Sequence, residues 1–257
     1  MMKMFRMLCF AAICAAFLLT SCGSGQTADE RMRKSMTAAK EGNWELALDE
    51  ARKAVKKAPG STLANVLLAI TLENNNLPEE ALKAAQKAGA DKSCFIAQYT
   101  LGRILFRQQK YADSIDPLTR ARELRQDDAN TIILLARAKI KLNNFDDAIS
   151  LFENLLELGK YNDSSVLNNE LGVLYVQKNE LILARSKFAA AYGADAKNPI
   201  PHLNYAILCD FYLRGLRNFP AAAFARDHYG EFLTLAEKRP ELAVEYNEVK
   251  GRLKKIP

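Results

Sequence analysis

The side chains that could do catalytic chemistry in this sequence of 257 residues do not form a recognisable catalytic motif. Its two histidines, His202 and His228, do not lie in an H-E-x-x-H spacing, which would present two metal ligands on one helix face. The sequence also contains no glycine-rich phosphate loop and no G-x-S-x-G nucleophile elbow. We therefore predict no catalytic residues, no cofactor, no bound metal and no small-molecule substrate, and expect that the protein is not an enzyme.

One cysteine, Cys22, lies directly after an apolar run near the N-terminus, where a thiol can be modified. Lys3 and Arg6 precede an apolar run, Met7 to Leu19, that is shorter than the roughly 20 residues needed to span a bilayer and is typical of a secretory signal. The run ends in Leu19-Thr20-Ser21-Cys22. A branched residue followed by two small ones fits a narrow protease subsite, and a thiol is soft enough to be alkylated by a lipid donor.

These four residues resemble the lipobox of bacterial lipoproteins. The resemblance implies cleavage before Cys22 and lipidation of its sulfur, so that residues 1–21 are a signal peptide and residues 22–27 a lipidated cysteine with a short tether. An ordinary cleaved signal and an uncleaved anchor are the alternatives. Gly23-Ser24 follow the cysteine without an aspartate, and by resemblance this favours the outer membrane, facing the periplasm, in a diderm host.

The bulk composition restricts the partners. Hydrophobic residues make up 49% of the chain and charged residues 26%, which is typical of a globular protein. The formal charge of +6 falls to +4 once Lys3 and Arg6 are removed with the signal. Since no run of basic residues alternates with aromatic ones, we predict no nucleic-acid binding.

Small residues recur through the chain in two parallel series. The differences between neighbours are 34, 33, 34, 36 and 34 in the first series: Ser35, Ala69, Gly102, Ala136, Gly172, Ala206. They are 34, 33, 34, 36 and 38 in the second: Ala47, Ala81, Ser114, Ala148, Ala184, Ala222. Two series that keep one period and shift together predict a repeated pair of helices that cross closely at the small residues.

The fifth copy carries the clearest motif. Leu171-Gly172, Tyr175, Ala184 and Phe188 resemble the signature of the tetratricopeptide repeat family. The resemblance implies an all-α fold, a right-handed α-solenoid of about six helix hairpins over residues 28–239. The predicted units are 28–61, 62–94, 95–128, 129–164, 165–198 and 199–239, and the apolar spacing after Pro240 predicts a capping helix over 240–257. The two-residue shift after Gly159 and the insertion from Arg214 to Pro220 are predicted loops.

In this family, the first helices of successive repeats line a concave groove that holds a partner segment. Carried onto this sequence, the resemblance predicts these partner-binding residues: Tyr99, Arg103, Phe106, Asn130, Ile133, Arg137, Ile140, Asn169, Val173, Val176, Leu203, Ile207 and Asp210. Arg103 and Arg137 are equivalent positions one repeat apart, which suits an extended or helical segment with acidic and aromatic side chains. The alternative is that both arginines pair with acidic residues of the protein itself.

The sequence therefore favours a non-catalytic protein-interaction scaffold, attached to the membrane of the cell envelope through lipid on Cys22. Its length and repeat number resemble the pilotin-like lipoproteins of type IV pili, which help an outer-membrane secretin to assemble. Three other functions stay open: an accessory lipoprotein of outer-membrane β-barrel assembly, a cell-wall remodelling enzyme or its regulator, and a periplasmic holdase chaperone.

Overall fold

The structure, a computed structural model, describes residues 27–159, 161, 164–214 and 220–256, and the chain divides after Asn143 into two compact units. The described residues form thirteen α-helices and no β-strand. Across the described residues, every helix is too short or too polar to cross a bilayer. The predicted signal peptide and the lipidation site Cys22 lie outside the described residues, as do residues 215–219 of the insertion.

The first unit contains seven helices, of which the first six pair as three antiparallel hairpins, α1/α2, α3/α4 and α5/α6. The bounds are α1 Ala28–Lys40, α2 Trp44–Lys57, α3 Thr62–Asn74, α4 Pro78–Ala88, α5 Phe95–Arg107, α6 Tyr111–Leu124 and α7 Ala129–Lys141. Together with α8 of the second unit, α7 covers the predicted fourth repeat.

The second unit contains the remaining six α-helices and two short turns of other geometry. The bounds are α8 Phe145–Glu157, α9 Ser165–Gln177, α10 Leu181–Ala194, α11 Pro199–Ile207, a π-helical turn Leu208–Tyr212, α12 Ala221–Ala236, a 3₁₀ turn Pro240–Leu242 and α13 Ala243–Leu253. The hairpins are α9/α10 and α11/α12, and α13 packs against α12 with Val249 buried.

The helix boundaries follow from local sequence chemistry. Thr27 caps α1 by accepting a hydrogen bond from the backbone N–H of Glu30 at 3.3 Å, as the Thr-x-x-Glu spacing predicts. Asp128 caps α7 in the same way, through the N–H of Thr131 at 2.8 Å. Pro78 is the first residue of α4, where its missing N–H leaves no hydrogen bond unmade.

The turn between the two helices of a repeat has the same left-handed backbone conformation at one residue in five repeats. A residue with φ between 58° and 80° recurs at steps of 34, 33, 34 and 36, the period of the small residues: Gly42, Asn76, Gln109, Asn143 and Asn179. In four of the five turns, the next backbone N–H donates to the carbonyl five residues earlier, which terminates the helix in a Schellman motif. The left-handed conformation explains the asparagines, since they tolerate it better than most residues.

The small residues lie where the paired helices cross, as predicted. A Cβ added to Gly102 would lie 2.5 Å from Cγ of Leu118, and one added to Gly172 would lie 2.4 Å from Cε1 of Phe188. The last member of the second series was predicted wrongly. Ala222 is only half-buried, whereas its neighbours Ala221 and Ala225 are buried, because α12 begins after the insertion at Ala221.

Candidate functional site

The candidate site is the exposed stripe of the first helix of each hairpin, which we call the inner face. In the first unit, α1 contacts α3, α3 contacts α5, and α5 contacts α7. In the second unit, α9 contacts α11 in the same way. Because the opposite side of α1, α3, α5, α9 and α11 packs against the second helix of the same hairpin, the side chains that remain accessible on these helices fall on a single stripe.

On α5, the inner face is already occupied by contacts within the protein. Arg103 and Arg107 both pair with Glu73 of α3, at 2.6 and 2.8 Å, and the side chains of Arg103 and Glu73 are each only 13% exposed. Arg107 also donates a hydrogen bond to Oε1 of Glu73, and charge-assisted hydrogen bonds of this length are strong. The charge of Arg103 is therefore compensated by the preceding repeat, so the alternative of pairing within the protein holds at this position.

The two aromatic residues predicted on α5 are also engaged. Tyr99 is buried, and its ring stacks on Phe95 with the centroids 6.0 Å apart. Phe106 is half-buried and meets Tyr111 edge-on at 5.3 Å. Tyr99 therefore packs against its own helix and contributes little accessible surface.

On α7, the four predicted residues share one stripe. Asn130, Ile133, Arg137 and Ile140 are three, four and three positions apart, and each is half-buried. On α9, Asn169, Val173 and Val176 continue the same spacing, with Val173 38% exposed. The sequence was sufficient to place these side chains on the accessible surface, because the helical period alone determines which residues share one face of a helix.

An asparagine pair joins the two first helices of the second unit. The side-chain amide of Asn204 on α11 donates to the carbonyl oxygen of Asn169 on α9, at 2.8 Å. Asn204 was not among the predicted residues. The position equivalent to Asn169 in the next repeat, 34 residues on, is Leu203, so the repeat pattern carried no signal for Asn204.

Leu203 and Ile207 lie half-buried on the stripe of α11, but the third predicted residue there, Asp210, does not. Its side chain is 0% exposed, whereas the next residue, Phe211, is 60% exposed. The π-helical turn over Leu208–Tyr212 explains the change, because i→i+5 hydrogen bonding accommodates more residues per turn than the α-helix assumed in the prediction. The prediction of Asp210 as a partner-binding residue is wrong in this structure, and Phe211 takes that place.

Asp210 instead holds the C-terminal helix in position. Its carboxylate accepts two hydrogen bonds from Arg252 of α13, at 2.6 and 2.9 Å, and also pairs with Arg214. The Tyr229 hydroxyl donates to it at 3.4 Å. Burial raises the pKa of Asp210, but the hydrogen bonds and charges of the two arginines outweigh burial and hold the pKa below its ordinary value.

The two histidines, 26 residues apart in sequence, meet in the second unit. Nδ1 of His202 on α11 lies 2.9 Å from Nδ1 of His228 on α12, and the rings of Tyr192 and Tyr205 pack around them. Burial lowers the pKa of His202 and lowers that of His228 to about 4. Both imidazoles are therefore neutral near pH 7, and one donates to the other.

The two histidine side chains pack in the interior of the second unit. Cys209 is fully buried, and burial raises the pKa of its thiol to about 12, so the thiol is a poor nucleophile. Among the described residues, no three histidine, cysteine or acidic side chains are grouped as metal ligands.

Comparison with known families agrees with this architecture. A tetratricopeptide repeat model matches residues 32–92 and 133–199, and a model for subunit 3 of the anaphase-promoting complex, or cyclosome, matches residues 90–155. The chain belongs to the tetratricopeptide repeat family. Its all-α solenoid fold, predicted from the sequence, is confirmed. No protein with a curated description matches the sequence.

Several solved structures share the tetratricopeptide repeat fold. The structure from a functional characterisation of Pseudomonas aeruginosa pilF is 19% identical, with a TM-score of 0.68 over 88% of this chain and 97% of that one. MamA from Desulfovibrio magneticus RS-1 is 18% identical, with a TM-score of 0.62 over 68% and 99%. YrrB, described as a TPR protein with an unusual peptide-binding site, is 18% identical, with a TM-score of 0.60 over 77% and 97%.

Tetratricopeptide repeat proteins bind segments of partner proteins and typically act without catalysis, so this chain is a protein-interaction scaffold. The inner face corresponds to the surface with which tetratricopeptide repeat proteins bind partner segments. Its described part differs between the units: in the first, Arg103 and Tyr99 are held by neighbouring side chains, and in the second, Val173 and Phe211 are accessible.

Proposed function

We propose that this tetratricopeptide repeat protein is a lipid-anchored scaffold of the bacterial cell envelope that holds a segment of a partner protein on its inner face and acts in assembly of a type IV pilus secretin. The accessible stripe of α9 supports the scaffold role. Asn169, Val173 and Val176 present two apolar side chains and an amide at helical spacing, which suits an extended or helical peptide.

The lipid anchor is supported by the sequence Leu19-Thr20-Ser21-Cys22 at the end of the apolar run. Two or more acyl chains bind a protein stably to a membrane, whereas one chain binds only marginally. The few residues between Cys22 and the start of α1 at Ala28 span at most about 20 Å when extended, at roughly 3.3–3.6 Å per residue. An anchor at Cys22 would thus keep the repeats close to the membrane surface.

The pilus role is supported by the extent of the likeness to pilF, which covers 88% of this chain and 97% of that one and so includes nearly every repeat. The partner chemistry differs from the sequence-based expectation. Because Glu73 compensates Arg103, an acidic and aromatic segment is no longer favoured on α5. We assign the partner contact to the accessible part of the inner face in the second unit, on α9 and α11.

Expression of the full chain in a diderm bacterium tests the anchor. The wild-type protein should fractionate with the outer membrane, and its N-terminal peptide should carry a lipid mass on Cys22. Cys22→Ser should release the protein from the membrane fraction, whereas Cys94→Ser, a matched change in the body of the chain, should leave it bound. A soluble wild-type protein, or an unmodified Cys22 in the membrane fraction, would contradict the proposal.

Crosslinking in the native envelope followed by mass spectrometry tests the pilus role. Recovery of a secretin subunit, and loss of secretin multimers when the gene is deleted, are the expected results. Recovery of a barrel-assembly subunit or a wall hydrolase, with secretin multimers intact, would replace this role with one of the other functions. A broad mixture of unfolded proteins would indicate a holdase.

A further inference from the structure

A cavity of about 280 Å³ opens between the last first helix and the C-terminal helix of the second unit. Leu203 and Ile207 of α11, Tyr229 of α12 and Val249 of α13 make its apolar floor. A cavity of this size lies just below the range of small-molecule pockets, at roughly 300–1,000 Å³, so it suits one or two side chains better than a cofactor. It is continuous with the inner face, since Leu203 and Ile207 belong to both.

The π-helical turn provides the exposed wall of the cavity. Phe211 lines the cavity while its side chain remains 60% exposed, and the guanidinium of Arg252 lies 4.7 Å from the centre of its ring. Single π-helical turns are rare, and they occur frequently at functional sites. Here the turn buries Asp210 and exposes an aromatic ring beside an apolar cavity.

The charge at the rim is negative. Arg252 is compensated by Asp210, and Arg214, which pairs with the same carboxylate, does not line the cavity. Glu245 and Glu248 line the cavity from one face of α13, and neither forms an ion pair with any described residue. Two carboxylates are therefore available beside an apolar floor, within reach of a cation on an incoming segment.

We propose that this cavity binds a peptide segment that combines a large apolar side chain with a nearby lysine or arginine. The apolar side chain fills the floor and packs on Phe211, and the cation pairs with Glu245 and Glu248. The inference rests on the proposed scaffold function and specifies the partner chemistry of one part of the inner face. The proposed segment is positively charged, whereas the arginines predicted on the groove led us to expect an acidic partner.

The test uses the full chain, purified in detergent and immobilised, as the target for a random twelve-residue peptide library. Enriched peptides are synthesised with a fluorescent label and titrated by anisotropy. They should pair leucine, isoleucine or an aromatic residue with lysine or arginine. Glu245→Lys combined with Glu248→Lys should weaken their binding about tenfold at low salt, and raising the salt should reduce the difference because exposed charges are screened.

A control variant and a second test keep the result interpretable if one variant misfolds. Glu241→Lys reverses one charge, half the change made by the double variant, at an exposed position outside the cavity, and should alter affinity less than twofold. Phe211→Ala removes an exposed ring, and should weaken binding without changing the charge. Thermal unfolding by circular dichroism verifies that each variant is folded.

Four outcomes would overturn the inference. Enrichment of acidic peptides, or equal binding by wild-type protein and the Glu245/Glu248 double variant, would leave the scaffold function intact and place the contact elsewhere. Concentration-dependent dimers that the double variant disrupts would assign the cavity to a second copy of this chain. A wild-type protein that enriches no peptide would contradict both the inference and the peptide-binding scaffold on which it rests.

Discussion

The close crossing of α9 and α10 makes a sharp prediction about Gly172. Changing Gly172 to Ala adds one methyl group, which would lie 2.4, 2.5 and 2.9 Å from Cε1, Cδ1 and Cγ of Phe188. Because Cγ is the root of the ring, the whole side chain must move and not only its far edge. Phe188 is 2% exposed and has little free space into which to move.

Two effects of opposite sign determine the size of the change. Overpacking a core costs about 1–3 kcal/mol, while replacing a helical glycine by alanine stabilises by about 1 kcal/mol. The net prediction for Gly172→Ala is a loss of about 1 kcal/mol, or roughly 2–4 °C in Tm for a chain of this size.

Gly230 provides the matched control. It lies inside α12 of the same unit, and a Cβ added there meets nothing within 4 Å. Gly230→Ala should therefore stabilise by about 1 kcal/mol through helix propensity alone. The same substitution at the two positions should thus differ by about 2 kcal/mol, measured by urea and thermal unfolding with circular dichroism.

A double-mutant cycle identifies the cause. In a Phe188→Ala background, which removes the ring together with its Cγ, Gly172→Ala should change sign and stabilise by up to about 1 kcal/mol. If Gly172→Ala stabilises the wild-type protein as much as Gly230→Ala does, the close crossing is not a constraint and the packing argument fails.

Three further predictions concern the turns, the histidine pair and the buried carboxylate. Gln109→Gly should raise the free energy of unfolding by about 1 kcal/mol, because Gln109 has φ of 61°, whereas Asn143→Gly should have little effect; urea unfolding of both distinguishes strain from a general effect of glycine. Since burial lowers the pKa of both His202 and His228, the unfolded chain binds more protons as the pH falls below about 6.5, so stability should be full above that pH and decline toward pH 4; His228→Phe should flatten this decline in a series of thermal melts. Asp210→Asn should destabilise the protein, because a neutral amide replaces the buried carboxylate that pairs with the partly exposed arginines Arg214 and Arg252, and should increase hydrogen exchange in the C-terminal helix; unchanged exchange would contradict the anchoring role.

The sequence predicted those features that the local pattern determines. The two series of small residues predict where the helices of a hairpin cross. Gly102 and Gly172, which belong to the first series, lie at such crossings in the structure. A pattern that repeats along a chain is informative because each copy must meet a similar neighbour.

Features that depend on non-repeating geometry were not predicted. Asp210 was assigned to the inner face by helical spacing, and the π-helical turn moved it into the core. Arg103 was expected to bind a partner, but Glu73, 30 positions earlier, meets it across the helix interface. The contact of His202 with His228 joins two different helices. None of these contacts repeats along the chain, so periodicity carries no signal for them.

Site-specific photocrosslinking in the native envelope tests most directly whether the inner face binds the partner. A benzophenone amino acid at Val173, on the exposed stripe of α9, is compared with one at Ile182, which is 58% exposed on α10, the second helix of the same hairpin. The scaffold account predicts a defined crosslinked partner from Val173 and none from Ile182. The same partner crosslinked from Ile182 alone, or equally from both positions, would contradict binding on the inner face.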